Sequence, residues 1–240
     1  MEACPKTPPV LDRRAGRTHH RRMEVAQFLE ELDVSVKTAL AQLGEASASG
    51  EPGPEIGVVQ LLGAALRKEL EASEEAALWM TREDDVDVKL ALARQCGDEA
   101  RHYRLIEDRL RELGVDPSAL RPMEGGPSPM FQYLAGLGST VERVAAGQFT
   151  REALAQVHNA VFIAYCESRG DAATARLYRD TIQPDERHHH EMGRRLLARF
   201  AVTDDAQARA RTAAAKTLAI AGEIQEMARL KKGIARAPGC

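Results

Sequence analysis

The sequence predicts an all-α protein built around a four-helix bundle, with further helices before and after the bundle. Alanine and leucine are plentiful, whereas β-branched and aromatic residues are sparse, a balance that favours helices over strands. Apolar residues recur at the three- and four-residue intervals of a helix face along most of the chain. No stretch shows the two-residue alternation of a half-buried strand, and connections rich in glycine or proline separate the helical segments.

Six helical segments are predicted, beginning after a polar N-terminal stretch. Their approximate ranges are 23–43, 56–80, 85–113, 130–168, 172–200 and 204–231. Residues 44–55 form a linker of Gly, Ser and Pro, and the fourth segment is expected to break near Gly136 and Gly138 or at Gly147. Gly170 suits the end of one helix and Asp171 the start of the next.

The lengths of the connections predict how four of these helices are arranged. Tight turns near residues 82–84 and 170–171 join the segments into two hairpins, and a long connection links the hairpins. This is the one-crossover type of four-helix bundle. Residues 1–22, rich in Arg, are expected to form a disordered basic arm, and 23–240 a single helical domain with its bundle core in 56–200.

Charge and hydropathy exclude several classes of protein. The formal net charge of -3 argues against a nucleic-acid binder, which usually carries a basic face. The N-terminus lacks the apolar region of a signal peptide, and glycine and proline interrupt the longest uncharged run, residues 125–141. We therefore expect a cytoplasmic protein without a membrane span. The four cysteines include no CxxC pair, which excludes a zinc ribbon, a rubredoxin site or a redox dithiol.

Two short motifs interrupt otherwise apolar helix faces. "EARH" at residues 99–102 and "ERHH" at 186–189 both have the form Glu-x-x-His. Residues three apart share a helix face, so one carboxylate and one imidazole of each motif can reach the same ion. Of the three consecutive histidines, His189 falls on the apolar face, and its neighbours lie about 100° to either side.

Burying the two glutamates of these motifs requires a compensating charge. Di-iron and di-manganese bundles achieve this with Glu-x-x-His from two helices and one Glu from each of the other two. On segment 56–80, Glu69 lies on the apolar face, and both Glu69 and Glu99 lie ~21–24 Å from the hairpin turn. On segment 130–168, Glu152 matches the depth of Glu186, ~22 Å from its turn. Glu167, closer to that turn, stays open as the alternative.

The paired motifs "DEARH" and "DERHH", each with a Glu about thirty residues upstream, resemble the ferritin-like di-iron superfamily, which includes rubrerythrins, bacterioferritins and tRNA hydroxylases. The resemblance covers residues 56–200 and matches no single subfamily, because the rubredoxin-like cysteines of rubrerythrin are missing. It implies six metal ligands: Glu69, Glu99, His102, Glu152, Glu186 and His189. Next to them, His158 and Asn159 lie in an uncharged run, either as a hydrogen-bonded core pair or as partners of a ligand.

The chemistry expected of such a site follows from its donors. Four carboxylates balance two divalent ions, and oxygen-rich ligation suits iron, with manganese as the alternative. The resemblance implies a di-iron oxidoreductase that activates O2 or peroxide to oxidise or hydroxylate an organic substrate, using an external electron donor. A ferroxidase or peroxide-scavenging protein, or a non-enzymatic bundle with a structural site, stays open. The sequence leaves the substrate and the oligomeric state open, with a homodimer among the options.

Overall fold

The computed structural model describes residues 13–48, 56–232 and 238–239, and these residues are helices joined by turns and short loops. The all-α prediction is confirmed, with no strand among the described residues. The α-helices are α1 Arg13–Ala48, α2 Val58–Met80, α3 Val86–Glu112, α4 Pro129–Ala135, α5 Thr140–Val144, α6 Glu152–Ser168, α7 Ala172–Leu177, α8 Gln183–Phe200 and α9 Asp204–Lys232. Two π-helical segments, Ala145–Arg151 and Tyr178–Ile182, join α5 to α6 and α7 to α8, and a 3-10 turn spans Pro117–Leu120.

The two hairpins form where the cap residues place them. The Asp85 side chain accepts a hydrogen bond from the Val88 backbone N–H at 3.1 Å and starts α3 after a short turn from α2. Gly170, with φ of +74°, takes the left-handed conformation that ends α6, and Asp171 caps α7 through the Thr174 N–H at 3.0 Å. These caps explain why both turns could be located from the sequence.

The fourth predicted helix, 130–168, is interrupted once and widened once. The chain leaves α4 at Gly136 and restarts α5 with a capping box between Ser139 and Glu142. Gly147, the other expected break, lies inside the first π-helical segment, where the helix continues without ending. The glycines near residue 136 therefore break the helix, whereas Gly147 does not.

Helix α1 begins earlier than the sequence predicts. It starts at Arg13 rather than near Met23, so residues 13–22, expected to belong to a disordered arm, are helical. Extending a helix that has already formed adds one hydrogen bond per residue at little cost, and arginine is a good helix former. The rest of the predicted arm, residues 1–12, and residues 49–55 of the predicted linker lie outside the described residues.

The core consists of two apolar layers at opposite ends of the bundle. One layer joins α1, α9 and the hairpin-turn end of α2 and α3, with Trp79 and Phe149 fully buried. The other joins the far ends of α2 and α3 to α6, α7 and the second π-helical segment, with Leu66 and Tyr178 fully buried. Along α2, α3 and α8, the polar residues of the candidate site lie between these two layers. No described helix has an uncharged, apolar stretch long enough to cross a membrane.

Candidate metal centre

Two groups of acidic and histidine side chains meet between the apolar layers. The groups are Glu69, Glu99, His102 and Glu186, and Glu99, Glu152, Glu186 and His189. In each group every residue offers one ligand atom, and these atoms all lie within 4.8 Å of one another. All six residues have 0% exposure to solvent. Such a buried set of carboxylates and imidazoles can hold a metal ion.

Glu99 and Glu186 belong to both groups. Each group is completed by a glutamate and a histidine of its own, Glu69 with His102 in one and Glu152 with His189 in the other. Because Glu99 and Glu186 are shared, the two groups form one continuous cluster, in which either group could hold an ion. The structure thus brings together the six residues that the sequence singled out.

The first position is organised around the Nδ1 atom of His102. This atom lies 3.2 Å from Glu99, 3.4 Å from Glu69 and 4.0 Å from Glu186, measured to carboxylate oxygens. Glu69 comes from α2, Glu99 and His102 from α3, and Glu186 from α8. Three helices therefore contribute to this position.

The second position mirrors the first around the Nδ1 atom of His189. This atom lies 3.3 Å from Glu99, 3.9 Å from Glu152 and 3.9 Å from Glu186. His188 is partly exposed, and the His190 Nδ1 atom is hydrogen-bonded at 2.7 Å to the backbone carbonyl of Phe149. Of the three consecutive histidines, His189 alone contributes to the centre.

An aspartate holds the outer nitrogen of each ring. The His102 Nε2 atom lies 3.0 Å from Asp185, and the His189 Nε2 atom lies 3.2 Å from Asp98. Asp185 comes directly before Glu186 of the second motif and holds the histidine of the first, whereas Asp98 comes directly before Glu99 of the first motif and holds the histidine of the second. Each motif therefore fixes the ring of the other. A hydrogen bond from Nε2 to a carboxylate fixes the ring and leaves Nδ1 as the inward donor atom.

These two aspartates are not among the residues predicted from the sequence. The signal was present, because "DEARH" and "DERHH" both carry an Asp directly before the Glu. A residue one position from a ligand points about 100° away on an isolated helix, and its role emerges only when the opposite helix is in place. Arg101, 2.5 Å from Asp185, adds a partly exposed ion pair at the edge of this brace.

A second buried network fixes Glu152. The Gln95 Nε2 atom donates to Glu152 Oε1 at 2.6 Å, and Gln148 donates to Gln95 Oε1 at 2.9 Å. Arg151 lies 3.4 Å from the same Glu152 oxygen and 2.6 Å from Glu75. With Oε1 occupied in this way, Oε2 is the oxygen that faces His189, 3.9 Å from its Nδ1.

The alternative ligand, Glu167, lies elsewhere. Its side chain is exposed and pairs with Arg179 on the surface. His158 lines a small cavity with Leu40 and Leu154, and the Asn159 Oδ1 atom accepts a hydrogen bond from the backbone of Gly239 at 2.8 Å.

A π-helical segment sets the register of the candidate ligands on α8. The buried residues Tyr178, Ile182 and Glu186 are spaced by two four-residue steps, which on an ideal α-helix would rotate the last residue by about 80° from the first. The wider π turn at Tyr178–Ile182 absorbs this rotation, so Glu186 stays on the inner face. Similarly, the other π-helical segment immediately precedes Glu152, the first residue of α6.

The electrostatics of the cluster favour a cation. Burial raises the pKa of Glu69 to about 7, and burial with the charges of Glu99 and Glu152 raises the pKa of Glu186 well above its ordinary value. Burial also acts on Glu99, but hydrogen bonds from His102 and His189 hold its pKa well below its ordinary value. The four buried carboxylates therefore carry more negative charge than the two imidazoles can balance. Divalent metal ions would supply the missing positive charge.

No family model, curated protein or solved structure matches this chain.

Proposed function

We propose that this protein binds two adjacent divalent metal ions and uses them as an oxidoreductase that activates O2 or peroxide. The observation that carries the proposal is the sharing of Glu99 and Glu186 between two groups of potential ligands. In this proposal the chain is a ferritin-like di-iron protein. The paired Glu-x-x-His motifs and the single Glu on each of the other two helices support that assignment.

The donor set favours iron. Four carboxylates and two imidazoles form an oxygen-rich set that suits iron and manganese, and imidazole ligation keeps iron well within range. Four carboxylate charges balance two divalent cations, which makes full burial of the cluster tolerable. Iron is the expected metal, with manganese as the alternative.

Two adjacent iron ions would supply electrons to O2 or peroxide. The residues of the chain provide the surroundings for this chemistry. Asp98 and Asp185 fix the orientation of the two imidazoles. Gln95 and Arg151 hold Glu152, and the two apolar layers keep bulk water away from the ligands. Hydroxylation of an organic substrate with O2 also consumes two electrons and two protons, so it requires an external electron donor.

The proposal is tested in two steps. The protein, reconstituted anaerobically with ferrous iron, should retain two ions per chain after gel filtration. On exposure to air with a reductant such as ascorbate, it should consume O2 over many turnovers. A Glu99→Gln/Glu186→Gln double variant should do neither, because both shared carboxylates are removed. A protein that stays free of metal under these conditions contradicts the proposal.

A second candidate function is iron oxidation or peroxide scavenging. The complete burial of all six candidate ligands favours it, because an enclosed centre admits an ion or a small oxidant more readily than an organic molecule. The same air-exposure experiment separates the two functions. Stoichiometric ferric product or loss of added hydrogen peroxide supports this second function, whereas an oxidised organic product from a panel of candidate substrates supports the first.

A further inference from the structure

The C-terminal residues Pro238 and Gly239 are buried against the middle of the bundle. The Gly239 N–H donates to Asn159 Oδ1 on α6 at 2.8 Å, and Lys68 on α2 donates to the Gly239 carbonyl at 3.3 Å. Both polar groups of this glycine are therefore bonded, one to each of two helices. The bonding partners lie about 80 and 171 residues away in the sequence.

Gly239 lies directly against one metal ligand. A Cβ atom added to it would lie 2.4 Å from the Glu69 Oε1 atom, and its φ of +87° is one that residues with a side chain rarely adopt. Glycine therefore fits here for two reasons, the backbone conformation and the contact with the carboxylate. The Glu69 carboxylate contacts His102 on its inner side, and the tail covers it without donating a hydrogen bond to it.

The two metal positions consequently differ in how firmly the protein holds the glutamate that belongs to one position only, Glu69 in the first and Glu152 in the second. Glu152 is fixed by Gln95 at 2.6 Å and by Arg151 at 3.4 Å. Glu69 has an ion pair with His102 at 3.4 Å and otherwise faces the tail. A carboxylate held by one imidazole at 3.4 Å can move away from an ion more easily than one held by an amide at 2.6 Å and a guanidinium.

We propose that the Pro238–Gly239 segment is a cap over the Glu69–His102 metal position, and that ions and small ligands reach the centre from this side when the cap leaves. The proposal rests on the proposed function, because it assigns the access route of the same centre. The closed cap keeps solvent from the less firmly held position. The Glu152–His189 position, behind its amide and guanidinium network, exchanges more slowly.

The test measures how fast iron leaves the centre. Protein loaded with ferrous iron is mixed with excess ferrous chelator, and the coloured complex is followed with time. The truncated protein ending at residue 237 and the Gly239→Ala variant should both still bind two ions. Both should release the first ion at least about tenfold faster than the full chain, because a tenfold change in rate corresponds to the loss of about one net hydrogen bond. Gly125→Ala is the matched control, since Gly125 has φ of +91° with nothing within 4 Å of an added Cβ.

The outcomes separate the cap from the proposed function. Two ions per chain with equal release rates in all four proteins overturn the cap and leave the proposed function standing. Failure of the full chain to load iron overturns both. Hydrogen exchange gives a reading that needs no metal: the Gly239 amide should be protected in the full chain and should lose its protection in an Asn159→Ala variant. An unprotected Gly239 amide in the full chain also overturns the cap.

Discussion

Replacing Gly193 by alanine should loosen the contact that positions the α8 ligands. Gly193 lies one turn after His189, where α8 crosses the first π-helical segment. An added Cβ would lie 2.7 Å from two backbone atoms, the carbonyl carbon of Gln148 and the nitrogen of Phe149. Backbone atoms cannot rotate away as a side chain can. The helix and the π-helical segment must therefore move apart.

The size of the effect follows from that distance. Carbon atoms normally make contact from about 3.5 Å, so the separation must grow by about 0.8 Å. Overpacking of this kind costs about 1–3 kcal/mol, and an immovable backbone places this site near the upper end. Alanine recovers about 1 kcal/mol through its higher helix propensity. The net loss is about 2 kcal/mol, or about 4–8 °C in Tm for a chain of this size.

Urea and thermal unfolding of the metal-stripped protein measure this loss directly. The matched control is Gly97→Ala on α3, because Gly97 is an exposed helical glycine with nothing within 4 Å of an added Cβ. This variant should gain about 0.8–1 kcal/mol in the free energy of unfolding. The Gly193→Ala protein should also bind iron more weakly, since His189 moves with α8. Equal stability of the two variants would refute the close approach of α8 to the π-helical segment.

Three further outcomes are expected. His189→Ala should lose bound metal and His188→Ala should retain it, as elemental analysis will show; equal loss would mean that α8 presents a different face. Glu152→Ala should lose one or both ions, whereas Glu167→Ala, at an exposed surface pair, should keep two; the reverse result would move the α6 ligand. Burial raises the pKa of Glu69 to about 7, so the folded state holds the carboxyl proton more tightly than the unfolded state does. The resulting contribution to the free energy of unfolding is fully present below about pH 4.5 and is lost as the pH rises through 7. The urea midpoint of metal-stripped protein should therefore fall between pH 5.5 and 8, and bound metal should reduce this fall; a midpoint that rises with pH in the stripped protein would contradict it.

The positions of the candidate ligands were predictable because helix periodicity is a local property. Glu99 with His102 and Glu186 with His189 share a face through three-residue spacing alone. Depth along the hairpin selected Glu152, and the structure places it in the cluster because Gly170 and Asp171 fix the turn from which depth is measured.

Other parts of the centre have no local pattern in the sequence. Gln95 becomes a partner of Glu152 only after α3 and α6 meet, and a glutamine on a helix face is unremarkable by itself. The π-helical segments add a residue to a turn without a change in composition that marks them. Gly239 and Glu69 are 170 positions apart in the sequence, so neither periodicity nor spacing could indicate their contact.

Anomalous X-ray scattering from crystals of the protein reconstituted with ferrous iron tests the dinuclear centre most directly. Data collected on both sides of the iron absorption edge identify the element and locate each ion. We predict two peaks, one beside Glu69 and His102 and one beside Glu152 and His189, with Glu99 and Glu186 between them. A single peak, or no peak among these residues in fully reconstituted protein, would contradict a centre for two metal ions.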